Sequence, residues 1–152
     1  MPDAVDEFRR VTQRFFRRFG ALAADSTPCG KPISMAHAQA LMVLSTRGEL
    51  SQHALGIELC IDKSNVARLC AKMAQANHIE QKPNALDGRS RLVSLTARGA
   101  RLAQEVDRAS RERFRTLLHA LPEERREDVL VALGCLADAL DPRVHASFEN
   151  EF

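Results

Sequence analysis

Between residues 62 and 101 the chain gathers side chains able to hydrogen-bond to nucleic acid. Lys63, Ser64, Asn65 and Arg68 open one apolar-periodic segment, and Lys72 follows a turn later. Asparagine can pair bidentately with adenine and arginine with guanine, while serine serves bases or phosphate. Lysine supplies a point charge to phosphate. Arg89 and Arg91 follow Asp87-Gly88, a strong turn signal. Two guanidinium groups on a hairpin tip can lie in a narrow minor groove, where the negative potential concentrates. The same window carries eight Lys and Arg against Asp62, Glu80 and Asp87, a local +5 in a chain of formal charge +2. A basic block in a near-neutral chain points to a local anionic partner. Arg98 and Arg101 fit equally as phosphate neighbours or surface charges.

Other chemistries find little support. Cys29, Cys60, Cys70 and Cys135 contain no CxxC pair, and the five histidines form no HExxH, so no metal and no cofactor are expected. Paired carboxylates, a nucleophile elbow and a phosphate loop are all missing, which argues against an enzyme. Cys60, Cys70 and Cys135 lie on or beside apolar stripes and read as small core residues. Cys29 sits in a polar loop near Lys31, a cation that favours the reactive thiolate, and is the redox candidate.

The elements that must position these groups are mostly helical. Val5, Phe8, Val11, Phe15, Phe19 and Leu22 share one face and predict a helix over 4–24. Its arginines Arg10, Arg14 and Arg17 suit acids on a partner subunit or solvent. Two prolines and a glycine between Asp25 and Pro32 break it. Ser34 caps a helix to about residue 45, Ser51 one over 52–59, and Asp62 one over 63–76. Residues 78–83 and 91–96 read as strands around the Asp-Gly turn. Thr96 caps a long helix over 97–120, and Pro122 opens a last helix to about residue 140.

Two short helices joined by a tight turn and followed by a basic hairpin form a winged helix-turn-helix plan. The sequence here resembles the MarR family of bacterial transcription regulators. The likeness rests on Leu50-Ser51-Gln52, on Leu59 through Leu69 including Asp62-Lys63-Ser64-Asn65 and Arg68, and on Asp87-Gly88-Arg89 through Gly99. The resemblance implies a homodimer with intertwined terminal helices and two wings flanking a pseudo-palindromic operator on double-stranded DNA. It also implies a pocket for a small aromatic or amphipathic effector, with Phe16, Phe19, His37 and Met42 as lining. Function is then sequence-specific transcriptional regulation, read as repression released by the effector. A thiol sensor using Cys29 on the same scaffold is the alternative.

Two features depart from the family pattern. Cys60 occupies a turn position where glycine is usual, so either the turn is adjusted or it tolerates the mild strain of a non-glycine residue at positive φ. Asn84-Ala85-Leu86 is less polar than usual before a wing, so Leu86 should pack on the sheet or rest on the duplex. Asp87 and Gly88 are assigned to the wing's architecture, with Asp87 orienting Arg89 or Arg91. The expected organisation is a dimerisation helix and loop over 1–33, a winged helix-turn-helix lobe over 34–100, dimerisation helices over 101–141, and a polar tail over 142–152. The chain of 152 residues has no apolar run of about 18 and no apolar signal core behind Asp3 and Asp6, so a cytoplasmic protein without membrane contact is expected.

Overall fold

The computed structural model describes residues 3–142, so the expected tail lies, from residue 143 onward, outside the described residues. The described residues form two compact units, 3–113 and 114–142.

In the first unit, α1 (Ala4–Phe19) starts at Asp3, whose carboxylate accepts from the Val5 amide at 3.4 Å. It stops at Gly20, φ 92°, where the Ala21 amide turns back to the Phe16 carbonyl at 3.2 Å. The apolar spacing had suggested a helix reaching residue 24. The left-handed glycine ends it earlier, and Leu22 beyond it is exposed.

α2 (Met35–Arg47) is capped by Ser34 Oγ, which accepts from the His37 amide at 3.1 Å. Strand β1 (Leu50–Ser51) leads into α3 (Gln52–Leu59), with Ser51 accepting from Ala54 at 3.0 Å. Cys60 then sits at φ 55° and ψ 40°, so the turn is not adjusted and a non-glycine residue holds the left-handed position. Asp62 caps α4 (Lys63–Gln75). Val66, Leu69, Cys70 and Met73 on α4 are buried against Leu41, Leu44, Leu55, Ile79 and Val93. This apolar contact fixes the rotation of α4, so its polar positions face outward. Of the three cysteines expected in the core only Cys70 is buried, and burial pushes its thiol up to about 11. Cys60 is exposed in the turn that ends α3, and Cys135 is exposed as well.

β2 (Ile79–Pro83) and β3 (Arg91–Leu95) pair antiparallel from Ile79↔Leu95 to Pro83↔Arg91, and β1 adds to the other side of β3. The sheet is therefore three-stranded in the order β1-β3-β2. α5 (Ala97–Ala120) follows at once, with Thr96 Oγ1 accepting from the Gly99 amide at 2.9 Å. Thr96 also donates its hydroxyl to the Asn77 carbonyl at 2.6 Å, and its amide to the His78 carbonyl at 3.1 Å. One threonine thus staples the start of α5 to the turn leaving α4.

The second unit holds the end of α5, a 3₁₀ turn (Glu123–Arg125) and α6 (Arg126–Ala139). None of its described residues is buried. Val129 and Leu136 are half-buried, while Leu130, Val131, Leu133 and Leu140 are exposed.

Candidate nucleic-acid interface

The capping carboxylate of α4 organises its polar face. Asp62 Oδ1 accepts from the Asn65 amide at 2.8 Å, and Oδ2 accepts from Asn65 Nδ2 at 3.0 Å. Arg68 Nη2 donates to Asn65 Oδ1. Asp62, Asn65 and Arg68 thus form one hydrogen-bonded row at spacings of three, along the first two turns. Lys63, Ser64 and Lys72 are exposed on the same helix. The spacing of Asp62, Asn65 and Arg68 was visible in the sequence, where Asp62 was assigned capping alone.

The wing loop joins β2 to β3 through residues 84–90. Asn84 Oδ1 accepts from the Leu86 amide and Asp87 Oδ1 from the Arg89 amide, each at 3.0 Å. The Ser90 amide donates to the Asp87 carbonyl at 3.1 Å, closing a four-residue turn. Asp87 therefore fixes the backbone of Arg89; no hydrogen bond joins its carboxylate to a guanidinium of Arg89 or Arg91. The expected orienting of an arginine side chain is corrected accordingly: the amide lies two residues on, within reach of a short carboxylate. Arg89, Arg91 and Leu86 are exposed, and Leu86 at 98% does not pack on the sheet. Lys82 is held lower on β2 by Glu49 at 3.0 Å.

Gly88 has no left-handed φ, and a Cβ built there meets nothing within 4 Å. The turn signal was real, but the Asp87 side chain supplies the turn and glycine's freedom is unused. Gly88→Ala is therefore expected to leave the wing folded and to raise stability by up to about 1 kcal/mol through the unfolded state. A thermal midpoint clearly below wild type would contradict this geometry.

A cleft of about 550 Å³ opens between α2 and α5, lined by Met42, Ser45 and Thr46 on one side and Gln104, Asp107, Arg108 and Arg111 on the other. Arg111 Nε lies 3.4 Å from Asp107 Oδ2. Of the four residues expected to line an effector pocket, Met42 lines this cleft and the others do not. Phe16 and Phe19 belong to an aromatic cluster on α1, where Phe15 stacks on Phe19 at 5.4 Å between centroids. His37 is buried, with Nε2 2.9 Å from Nδ1 of His78. Its helical position turns it into the core, away from the cleft. Arg108 and Arg111 were missed because they look like any charged helix face.

Cys29 is half-buried, with Sγ 3.0 Å from Thr27 Oγ1. Lys31, its expected activating cation, reaches Glu105 instead, at 3.8 Å. Thr27 Oγ1 accepts from the Lys31 amide at 2.9 Å within the same loop. Among the described residues, no group of three or more His, Cys, Asp or Glu is placed to hold a metal ion. No described helix is long and apolar enough to cross a membrane.

Comparison with known proteins agrees with this geometry. The model of the MarR family matches residues 31–90. An HTH-type transcriptional regulator of Mycobacterium bovis is 30% identical over 109 residues, covering 72% of this chain and 76% of the relative. Among solved structures, the Staphylococcus aureus MepR–DNA complex superposes with a TM-score of 0.68 at 19% identity, covering 92% of this chain and 100% of that one. Bordetella bronchiseptica BpsR, solved in a study of how 6-hydroxynicotinic acid regulates its DNA binding, gives 0.66 at 19% identity, covering 86% and 95%. Solved likenesses at this identity speak for the fold, and the family match and the curated relative speak for descent. With its outward polar helix, its basic wing and these relatives, the chain belongs to the MarR family of winged helix-turn-helix transcriptional regulators.

Proposed function

We propose that the protein is a cytoplasmic homodimer that binds a pseudo-palindromic operator and represses transcription until a small effector releases it. The carrying observation is the outward face of α4. Burial of Val66, Leu69, Cys70 and Met73 leaves Lys63, Ser64, Asn65, Arg68 and Lys72 exposed together, and Arg89 and Arg91 are exposed on the wing. Such a helix fits the major groove and such a wing the adjacent minor groove.

Dimerisation is supported by apolar side chains that each unit leaves uncovered. On α1, Val5, Phe8, Phe15 and Phe16 are 67%, 57%, 44% and 49% exposed, and on α6 Leu130, Val131 and Leu133 are 60%, 60% and 49% exposed. Burying such surface contributes about 25 cal/mol per Å² before entropic losses. Light scattering at micromolar concentration is expected to give about twice 16.9 kDa, and a monomer at that concentration would remove the two-half-site reading.

The cleft between α2 and α5 suits a small aromatic carboxylate. Arg108 supplies a cation for the carboxylate, and Met42 an apolar surface for a ring. BpsR, whose DNA binding responds to an acid of this class, supports the assignment. Both walls are fastened to the residue that follows α4 and its turn. His37 of α2 hydrogen-bonds the His78 ring, and Thr96, at the start of α5, hydrogen-bonds the His78 carbonyl. A ligand that prefers one spacing of the walls then shifts the population of α4 positions.

Selection of bound duplexes from a random pool tests the reading, and should yield a two-fold-related site. Lys72→Ala is expected to weaken all sequences alike and to reduce the salt slope by about one, whereas Arg68→Ala removes about 1–3 kcal/mol of base discrimination. Equal effects of both variants on selected and random DNA would refute the division of labour.

A further inference from the structure

We infer that Asn65 positions Arg68 instead of reading a base itself, and that Asp62 sets the orientation of the Asn65 amide. This deepens the DNA-binding reading above and rests on it. The hydrogen-bonded row fixes the amide from both ends. Asn65 Nδ2 donates to the Asp62 carboxylate at 3.0 Å, and Asn65 Oδ1 accepts from the Arg68 guanidinium. Turning the amide over would set its oxygen against a carboxylate and its NH₂ against a cation, two repulsive contacts in place of two charge-assisted hydrogen bonds. Asp62 is itself anchored, because its other oxygen accepts from the Asn65 backbone amide at 2.8 Å, within the first turn of α4.

A bidentate contact to adenine needs both amide atoms turned together toward the base edge. Here they are committed along the helix, one to each neighbour. The guanidinium gives up one Nη2 proton to this arrangement and keeps the remaining donors of its planar fork. A fork held at one edge has fewer rotamers to lose on meeting the O6 and N7 acceptors of guanine. The consequence is a half-site with one strongly required guanine and no adenine requirement from Asn65.

The test compares base preference, position by position, for the full-length protein and four variants, by selection from a random duplex pool and by titration of single-base variants of the selected site. Arg68→Ala is expected to lose the preference at one guanine, by about tenfold or more. Asn65→Ala is expected to relax the same guanine, and the pair of substitutions to cost no more there than Arg68→Ala alone. Asp62→Asn keeps a good helix cap, so thermal midpoint should hold while discrimination at that guanine falls several-fold. If Asp62 only caps the helix, Asp62→Asn would leave both the midpoint and the base preference unchanged, and the orienting role would be overturned. If Asn65→Ala instead erases an adenine preference at another position, with the guanine preference untouched, the positioning role is overturned. Failure of the wild-type protein to select any sequence would overturn the DNA-binding reading itself, a different result from independent behaviour of the variants.

Discussion

Gly99→Ala is expected to destabilise the protein more than any other single methyl addition at its glycines. A Cβ at this position would lie 1.9 Å from the His78 carbonyl oxygen, 2.8 Å from its carbon and 3.1 Å from the His78 Cα. Atoms that close must separate by more than 1 Å, and every obstacle is backbone. Neither side yields easily. The His78 carbonyl accepts from the Thr96 amide at 3.1 Å, the Thr96 hydroxyl donates to Asn77 at 2.6 Å, and the Gly99 amide is bonded to Thr96 Oγ1 at 2.9 Å. Moving α5 away from His78 breaks the staple that caps the helix and holds the turn after α4. Overpacking of a well-packed site costs about 1–3 kcal/mol and sometimes more, and loss of a cap adds about 1. A denaturant midpoint is expected to fall by the equivalent of roughly 3 kcal/mol or more. Specific DNA binding should weaken with it, since the turn sets where α4 ends. A Gly99→Ala protein with wild-type stability would show that α5 slides off His78 without loss, and that the staple does not hold the lobe together.

The same close approach shows which parts of the fold were legible. The reason for glycine at 99 is a carbonyl 21 residues earlier in the chain, so periodicity carries no trace of it. Local chemistry was readable where a side chain acts on its own segment. Ser34, Ser51, Asp62 and Thr96 cap the helices expected of them, and of the two outcomes open for Cys60, an adjusted turn or a left-handed one, the second holds. Errors arose where one local signal outvoted another. Leu22 prolonged an apolar rhythm that Gly20 had already ended. At the wing the Asp-Gly pair marked the turn, and the carboxylate of Asp87 makes it by accepting from the Arg89 amide. Long-range pairings were out of reach. His37 and His78 stand 41 residues apart, and neither spacing nor composition announces that they meet. The outward polar face of α4 was the most legible part, because it follows directly from an apolar stripe on the opposite side.

The buried histidine pair gives the second large effect, a loss of stability in mild acid. His37 and His78 are 3% and 8% exposed, with Nε2 2.9 Å from Nδ1 and the rings edge to face at 5.0 Å. In the neutral pair one ring donates and the other accepts. Adding a proton preserves a donor but places a charge in the core, with cations already near. Burial first, then His78, then Lys72 lower the pKa of His37 from 6.5 to about 4. Burial and then Arg98 lower that of His78. Because the unfolded chain takes up these protons more readily than the folded one, stability is complete above the ordinary histidine value and falls as pH drops toward the folded value. For His37 alone the loss between about pH 7 and about pH 4.5 is roughly 2–3 kcal/mol, with His78 adding in the same direction. Urea unfolding at fixed protein concentration across that range measures it. Replacing both residues (His37→Gln with His78→Gln) keeps groups able to hydrogen-bond and removes the titration, so the variant should lose less stability than wild type over the same interval. Carboxylates common to both proteins cancel in this difference. Parallel loss in the two proteins would show that the pair takes up its protons as readily in the folded chain as in the unfolded one, and that acid acts elsewhere.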